Sequence, residues 1–126
     1  MNRRARRLEK NRFLGMNYSH EYLGEYKYFI IPSEDYDAVP KGTNLKFEGI
    51  IEKKPIIKHL RSKKPPRLQG LRYFIQTQLI VNGVDIKYEG PAFLRKGEKV
   101  TVWGKKGTNR FDAVKIETED VIIMIY

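Results

Sequence analysis

The alternation of apolar and polar residues predicts a chain folded mainly into β-strands from residue 43 onward. Between residues 43 and 52 every second residue is apolar or glycine, as in a strand whose side chains point alternately to the two faces of a sheet. The same two-residue period recurs in residues 71–81, 84–89, 99–103 and 110–117. Each of these segments is therefore predicted to bury one face and to expose the other.

Glycines and prolines mark the connections between these strands. Asn82-Gly83 is the strongest short-range signal for a β-hairpin, because both residues tolerate the positive φ angles of a type I′ turn. Gly49 lies in the middle of a strand, where a glycine indicates a bulge or a sharp bend. Residues 53–70 contain three prolines and are predicted to form a long loop, because proline cannot donate a backbone hydrogen bond to a sheet.

The two ends of the chain differ from this central region. Residues 16–31 are ambiguous, because Tyr18, Tyr22, Tyr26 and Phe29 fall at helical spacing. The aromatic and β-branched residues 26–31 favour a strand for the second half, whereas residues 32–42 are typical of turns. The final apolar run, 121–126, predicts a strand that is buried on both faces. Residues 1–12 are basic and lack an apolar face, so we expect them to become ordered only on a partner. The predicted organisation is a basic arm at 1–15, an extension at 16–42 that packs on a barrel, and the barrel at 43–126.

The net charge of +10 is concentrated in two segments. Residues 1–12 hold six bases against one acid, a balance of +5, and residues 53–72 hold eight bases and no acid. The rest of the chain has 11 bases and 14 acids and is therefore slightly negative. Such basic segments can simply be solvated faces. Two separate segments rich in arginine favour a polyanion instead, because the guanidinium group binds phosphate through two donors and stacks on bases.

The composition also limits the chemistry that the chain can perform. With no cysteine it has no disulfides, thiol catalysis or cysteine metal sites. Its longest apolar run has six residues, far short of the ~20 that a membrane-spanning helix needs, and its basic start does not lead into a signal peptide. His20 and His59 have no partners at metal-ligand spacing. We therefore expect a cytoplasmic protein that is not an enzyme and has no cofactor and no metal.

Residues 96–116 combine a glycine, an acid, alternating valines, a second glycine, a short loop and an apolar-x-Ala-x-x-Ile pattern. This arrangement resembles the fourth and fifth strands of the oligonucleotide/oligosaccharide-binding (OB) fold, and residues 46–51 are similar to its first strand. The resemblance covers roughly residues 43–118 and implies a mainly β fold, a small five- to six-stranded OB-like barrel. Only residues 91–96 stand where many members place a helix between the third and fourth strands, so an SH3-like barrel is the alternative topology.

The resemblance implies a ligand face on the second and third strands, flanked by the loops after the first and fourth strands. On the second strand, the predicted outward stripe offers a cation, a stacking ring and two amides, the groups that contact phosphates, base planes and base edges. The ring of Phe74 can equally be covered by the N-terminal segment, and Trp103 is more often a core or barrel-end residue than a base platform. The predicted nucleic-acid-binding residues are Arg3, Arg4, Arg6, Arg7, Arg12, Lys53, Lys54, Lys58, Arg61, Lys63, Lys64, Arg67, Arg72, Phe74, Gln76, Gln78, Lys105, Lys106 and Arg110.

These observations predict a non-catalytic nucleic-acid-binding protein that holds phosphates with the arm and the 53–72 segment and bases with a barrel face. RNA is favoured over DNA, because an arginine-rich arm can become ordered in an RNA groove. The expected setting is the ribosome or another ribonucleoprotein, with a ribosomal or other protein as a further partner. The alternative is a protein-interaction or assembly module, in which residues 122–126 pair with a partner strand and the basic segments meet an acidic surface.

Overall fold

Nine strands form one sheet within the part of the chain that the structure, a computed structural model, describes. This part comprises residues 18–61 and 73–124, with the backbone alone at residues 60, 61, 73 and 74. A 3₁₀ helix at Ser33–Ala38 is the one helix in these ranges, and it is too short to span a membrane. The strands are β1 (His20–Leu23), β2 (Tyr26–Ile30), β3 (Asn44–Ile50), β4 (Ile56–Arg61), β5 (Tyr73–Val81), β6 (Val84–Glu89), β7 (Lys99–Lys106), β8 (Phe111–Glu117) and β9 (Ile122–Met124).

Five of these strands close into a barrel. β3 pairs antiparallel with β7, β7 with β8, and β5 with β6, while β6 runs parallel to β8. An antiparallel bridge between Ile51 and Val81 joins the end of β3 to β5, where Glu52 N donates to the Ile80 carbonyl oxygen. This order is that of a five-stranded OB barrel. The predicted mainly β, OB-like fold is therefore confirmed, and the SH3-like alternative does not fit the pairing.

The barrel interior is filled by the apolar residues that the alternation selects. Phe47 and Phe111 pack edge to face with ring centroids 5.1 Å apart. Tyr36 of the 3₁₀ helix lies against both rings, with centroids 5.8 and 5.9 Å away. Full burial of one such side chain contributes roughly 1.5–3 kcal/mol, so this cluster is a main source of stability. The other largest side chains with almost no exposed surface are Leu45, Ile51, Val81, Ile86, Val100, Val102 and Ile116.

Two strand glycines are required because another part of the chain approaches them closely. A Cβ atom on Gly49 would lie 2.4 Å from Val81 Cγ1, and one on Gly104 would lie 2.1 Å from the Asp112 carbonyl oxygen. Of the bulge or sharp bend predicted at Gly49, the bulge is absent, since β3 pairs with β7 in continuous register. The irregularity lies between Trp103 and Gly104, in the pairing of β7 with β8.

The segment 53–70 is only partly the loop that its prolines predict. Ile56–Arg61 forms β4, which pairs antiparallel with β5, so the prediction of a continuous loop is wrong for these six residues. Pro55 immediately precedes the strand, a position in which its missing N–H removes no ladder hydrogen bond. β3 and β4 thus act as two successive parts of one bent first strand, paired with β7 and then with β5.

The two ends of the described chain also differ from expectation. Residues 33–38, predicted as turns, form the 3₁₀ helix. β9 is an edge strand on β8 and not a strand buried on both faces, because Ile122 is 63% exposed. β1 and β2 form a hairpin around Gly24, of which the sequence predicts only the second strand. β2 pairs parallel with β3 through Phe29–Leu45 and Ile30–Lys46 and so attaches the hairpin to the barrel.

Candidate nucleic-acid interface

The outer face of β4, β5 and β6 corresponds to the face on which the sequence places the ligand. On β5, Thr77, Leu79 and Val81 point into the barrel and are fully buried or nearly so. Gln76 and Gln78 alternate with them and are half-buried on the outer face. The predicted orientation of this strand is therefore correct, and Thr77 belongs to the inward stripe although it is polar.

Cross-strand pairing arranges the outer side chains in rows, because directly paired residues point to the same face of a sheet. In one row, Lys58 of β4 pairs with Gln76 of β5, which pairs with Glu89 of β6. A second, longer row runs from β4 through β5, β6 and β8 to β7, and this longer row connects both flanks of the predicted site. Its members are Ile56, Gln78, Lys87, Asp112 and Lys105.

A groove of about 320 Å³ lies on this face beside the hairpin turn of β5 and β6. Ile56, exposed over 57% of its surface, and Ile80 give the groove an apolar lining. Lys53 and Lys54, both exposed in the segment between β3 and β4, contribute its positive charge. An apolar surface edged by ammonium groups can accept a flat ring together with a neighbouring phosphate.

The turn beside the groove has the conformation that the sequence predicts. Asn82 and Gly83 have φ angles of 47° and 81°, as a type I′ turn requires. The Asn82 side chain also fixes the turn to the barrel, because its Oδ1 accepts from Ile50 N at 2.9 Å and its Nδ2 donates to Ser33 Oγ at 2.8 Å. The groove wall is therefore held by three parts of the chain.

The three predicted cations near the β7–β8 loop have different surroundings. Lys105 is exposed, and Arg110 Nε lies 3.2 Å from Asp112 Oδ1 in an exposed ion pair. Lys106 turns toward the barrel end, where its Nζ lies 4.3 Å from the centroid of the Tyr36 ring and donates to the Tyr36 carbonyl oxygen at 2.6 Å. Lys105 and Arg110 thus remain available to a ligand, whereas Lys106 stabilises the barrel end.

Acidic side chains interrupt the positive surface, which a charge count by segment does not reveal. Glu89 forms an ion pair with Lys87, with 2.8 Å between Lys87 Nζ and Glu89 Oε1. Asp85 lines the groove, and Asp112 lies in the longer row. These acids and Lys87 were not among the predicted site residues. The alternation of residues 84–89 places Asp85, Lys87 and Glu89 on the outer face, so the sequence contains the signal for them.

Much of the predicted site lies outside the residues that the structure describes. For Arg61 and Phe74 only the backbone is described, on β4 and β5, so Phe74 as a stacking ring remains a prediction. Among the described ranges, no three His, Asp or Glu side chains are grouped so as to hold a metal ion. The predicted residues outside the described ranges are Arg3, Arg4, Arg6, Arg7, Arg12, Lys63, Lys64, Arg67 and Arg72.

Trp103 belongs to a separate cluster on the outer face of β3, β7 and β8. Its side chain is 3% exposed, and its indole N–H donates to Glu21 Oε1 of β1. The Nζ atoms of Lys46 and Lys115 lie 4.8 and 4.2 Å from the ring centroid, and Lys46 Nζ is 2.9 Å from Glu21 Oε2. Trp103 is thus buried as expected, but outside the barrel and beneath the N-terminal hairpin.

The charges of this cluster set the protonation of Glu21. Partial burial by itself raises the pKa of the Glu21 carboxyl, but hydrogen bonds from Lys46 and Trp103 and the charges of Lys46 and Lys115 outweigh it. The net pKa of Glu21 therefore lies below its ordinary value, and the carboxylate is ionised at neutral pH.

No protein-family model matches the chain, and no sequence among the curated proteins matches it. Among solved structures, the chain is similar to one in the crystal structure of the S. pombe Stn1–Ten1 complex, with 15% identity and a TM-score of 0.47 over 78% of this chain and 82% of that chain. It is also similar to the telomere capping protein Ten1 of S. pombe, with 15% identity and a TM-score of 0.42 over 71% of this chain and 78% of that chain. The OB-like assignment above follows from the strand order and pairing of this chain alone.

Proposed function

We propose that this protein binds single-stranded nucleic acid on the outer face of β4, β5 and β6, and that it catalyses no reaction. The observation that carries the proposal is the groove beside the β5–β6 turn, where the exposed Ile56 meets Lys53 and Lys54. A nucleotide combines an apolar ring face with a negative phosphate, and stacking one base on a protein surface is worth ~1–3 kcal/mol where the platform is aromatic. An aliphatic platform supplies the apolar part of that contact.

The neighbouring side chains support a ligand whose bases face the protein. The amides of Gln76 and Gln78 can hydrogen-bond to base edges. Asp85 and Glu89 repel phosphates but accept hydrogen bonds from the amino groups of bases. A duplex presents mainly its phosphate backbone, whereas a single strand can turn its bases toward these groups. The mixture of lysines, amides and carboxylates therefore favours a single strand.

We expect the bound nucleic acid to run along the longer row of side chains across the sheet. It leads from the groove past Lys87 to Lys105 and Arg110, beside the β7–β8 loop. In OB barrels this loop and the one after the first strand flank the ligand face. We propose RNA as the preferred ligand, in a ribosome or another ribonucleoprotein, on the basis of the arginine-rich arm alone. The test therefore includes both RNA and DNA.

The test is fluorescence anisotropy with labelled single strands of about 16 nucleotides, the upper site size of one OB domain, as DNA and as RNA. We expect log K to fall linearly with log salt, by about 0.7 for each phosphate contact. Replacing Lys54 by glutamate removes one such contact. At 0.1 M salt this lowers the affinity about fivefold or more and reduces the salt slope by about 0.7.

The matched control is Lys27→Glu, which makes the same change in net charge. Lys27 lies on β2 with its Nζ 4.9 Å from the Phe29 ring centroid, and the hairpin contributes no residue to the groove. We expect Lys27→Glu to weaken binding by much less than Lys54→Glu. Equal losses for the two variants, or an affinity that does not change with salt, would contradict the proposal.

A second candidate function, a protein-interaction module, is favoured by the exposure of the C-terminal edge. Val121 and Ile122 are 46% and 63% exposed, and β9 has a partner strand on one side only among the described strands. Such an edge can pair with a strand of another protein. This function predicts a complex that survives nuclease and high salt and that Ile122→Lys disrupts, with oligonucleotide affinity unchanged.

A further inference from the structure

We propose a second nucleic-acid-binding site, formed by Trp103, Lys46 and Lys115 on the outer face of β3, β7 and β8 and kept closed by Glu21. The inference rests on the proposed function, because it assigns the same class of ligand to another face of the barrel. The site takes one nucleotide of a single strand, with its phosphate in the place of the Glu21 carboxylate, at the indole N–H and Lys46 Nζ, and its base on the indole ring.

The strand register brings the three side chains together. Trp103 of β7 pairs with Lys46 of β3 on one side and with Lys115 of β8 on the other, so all three point away from the barrel. Both ammonium groups lie within 5 Å of the ring centroid, at 4.8 and 4.2 Å. Such cation–π contacts are favourable, but two like charges on one indole also repel each other. The cluster without Glu21 is therefore a site for an anion.

Glu21 occupies this site in the way a phosphate would. Its two oxygen atoms accept from different donors, Oε1 from the indole N–H of Trp103 and Oε2 from Lys46 Nζ. A phosphodiester group also presents two such oxygen atoms, and a nucleotide adds a ring that can stack on the indole. The carboxylate offsets one of the two lysine charges, so the cluster retains positive charge with Glu21 in place.

The hairpin can uncover the cluster without opening the barrel. β1 is an edge strand whose one partner among the described strands is β2. It is further held by Tyr18, whose hydroxyl donates to Asp35 Oδ2 at 2.6 Å. Edge elements with few buried contacts open locally at a lower free energy than the core. Movement of β1 alone removes Glu21, while β2 keeps its pairing with β3.

The experiment uses Trp103 as its own reporter, because it is the single tryptophan of the chain. Glu21→Ala is compared with Glu25→Ala, which makes the same charge change in the exposed turn of the same hairpin. We expect Glu21→Ala to bind a single-stranded oligonucleotide about fivefold more tightly than Glu25→Ala, the effect of one added phosphate contact at 0.1 M salt. The oligonucleotide should also quench Trp103 emission in Glu21→Ala.

Two further variants separate the possible outcomes. Adding Trp103→Phe to Glu21→Ala should remove most of the gain, and circular dichroism checks that the barrel remains folded. One outcome is that the wild type binds, that Lys54→Glu weakens binding, and that Glu21→Ala and Glu25→Ala bind equally without quenching. In that case the second site is wrong, while the proposed function stands. If Glu21→Ala binds with quenching but Lys54→Glu has no effect, the second site stands and the proposed groove is wrong. Absence of binding to every variant overturns both.

Discussion

Replacing Thr77 by valine tests how β5, which carries part of the proposed ligand face, is fixed to the connection between β6 and β7. Thr77 is fully buried, its Oγ1 donates to the Gly90 carbonyl oxygen at 2.7 Å, and the same atom accepts from Ala92 N at 3.0 Å. Valine preserves the shape but leaves the buried Ala92 N–H and the partly buried Gly90 carbonyl without this partner. The unsatisfied buried donor costs about 1–3 kcal/mol, the partly buried carbonyl adds to this cost, and the extra methyl group returns ~0.8 kcal/mol. We expect a net loss of about 2 kcal/mol.

The matched variant is Thr77→Ser, which keeps the hydroxyl group and removes only the methyl group. Deleting one buried methyl group costs about 0.5–1.5 kcal/mol, so serine should be the milder change although it leaves the larger void. Urea unfolding followed by circular dichroism gives both free energies of unfolding, and the valine variant should melt roughly 6–10 °C below wild type. If serine destabilises the protein as much as valine or more, methyl packing and not hydrogen bonding fixes this position, and the reasoning is refuted.

Two other predictions concern the barrel and the hairpin. Gly104→Ala places a Cβ atom 2.1 Å from a backbone oxygen and should lower the free energy of unfolding by about 4 kcal/mol or more. Gly107→Ala should lower it much less, because the nearest neighbour of the new Cβ atom is the flexible Asp112 carboxylate at 3.0 Å. Thermal melts of the two variants give the comparison. Glu21 has a lowered pKa, so its stabilising effect is present above its ordinary value of 4.5 and is lost as the pH falls through the folded value. Protonation of Glu21 weakens its contact with the indole and lets water reach Trp103, so the Trp103 emission should shift to the red in acid. Glu21→Gln cannot titrate and should show no such transition.

The two-residue period predicted most of the barrel because burial on one face leaves a direct trace in the sequence. The strands around Phe47, Leu79 and Ile86 all bury the residues that the alternation selects. The Asn82-Gly83 turn was equally readable, since few other dipeptides tolerate two consecutive positive φ angles. Local conformational preference and burial agree at these positions, so the sequence alone was sufficient.

The prediction failed where pairing between distant segments decides the structure. Residues 56–61 have a basic and proline-flanked sequence, and they form a strand because β5 extends beyond the barrel and offers an edge for pairing. The Glu21–Trp103 contact joins residues 82 positions apart, and no local pattern indicates it. The acids on the proposed ligand face were visible in the alternation of residues 84–89, but a charge count by segment averages them away.

The seam along which the bent first strand meets β5 is held by the bridge between Ile51 and Val81 and, beyond a gap, by the ladder between β4 and β5. On one side of this seam lie Lys53 and Lys54, and on the other lies the β5–β6 turn with Gly83. The groove therefore spans the seam, and a ligand seated in it would act as a staple between the two strands. Ligand binding would then add to the hydrogen bonds that close the ring, so the protein should resist opening most strongly when it is loaded.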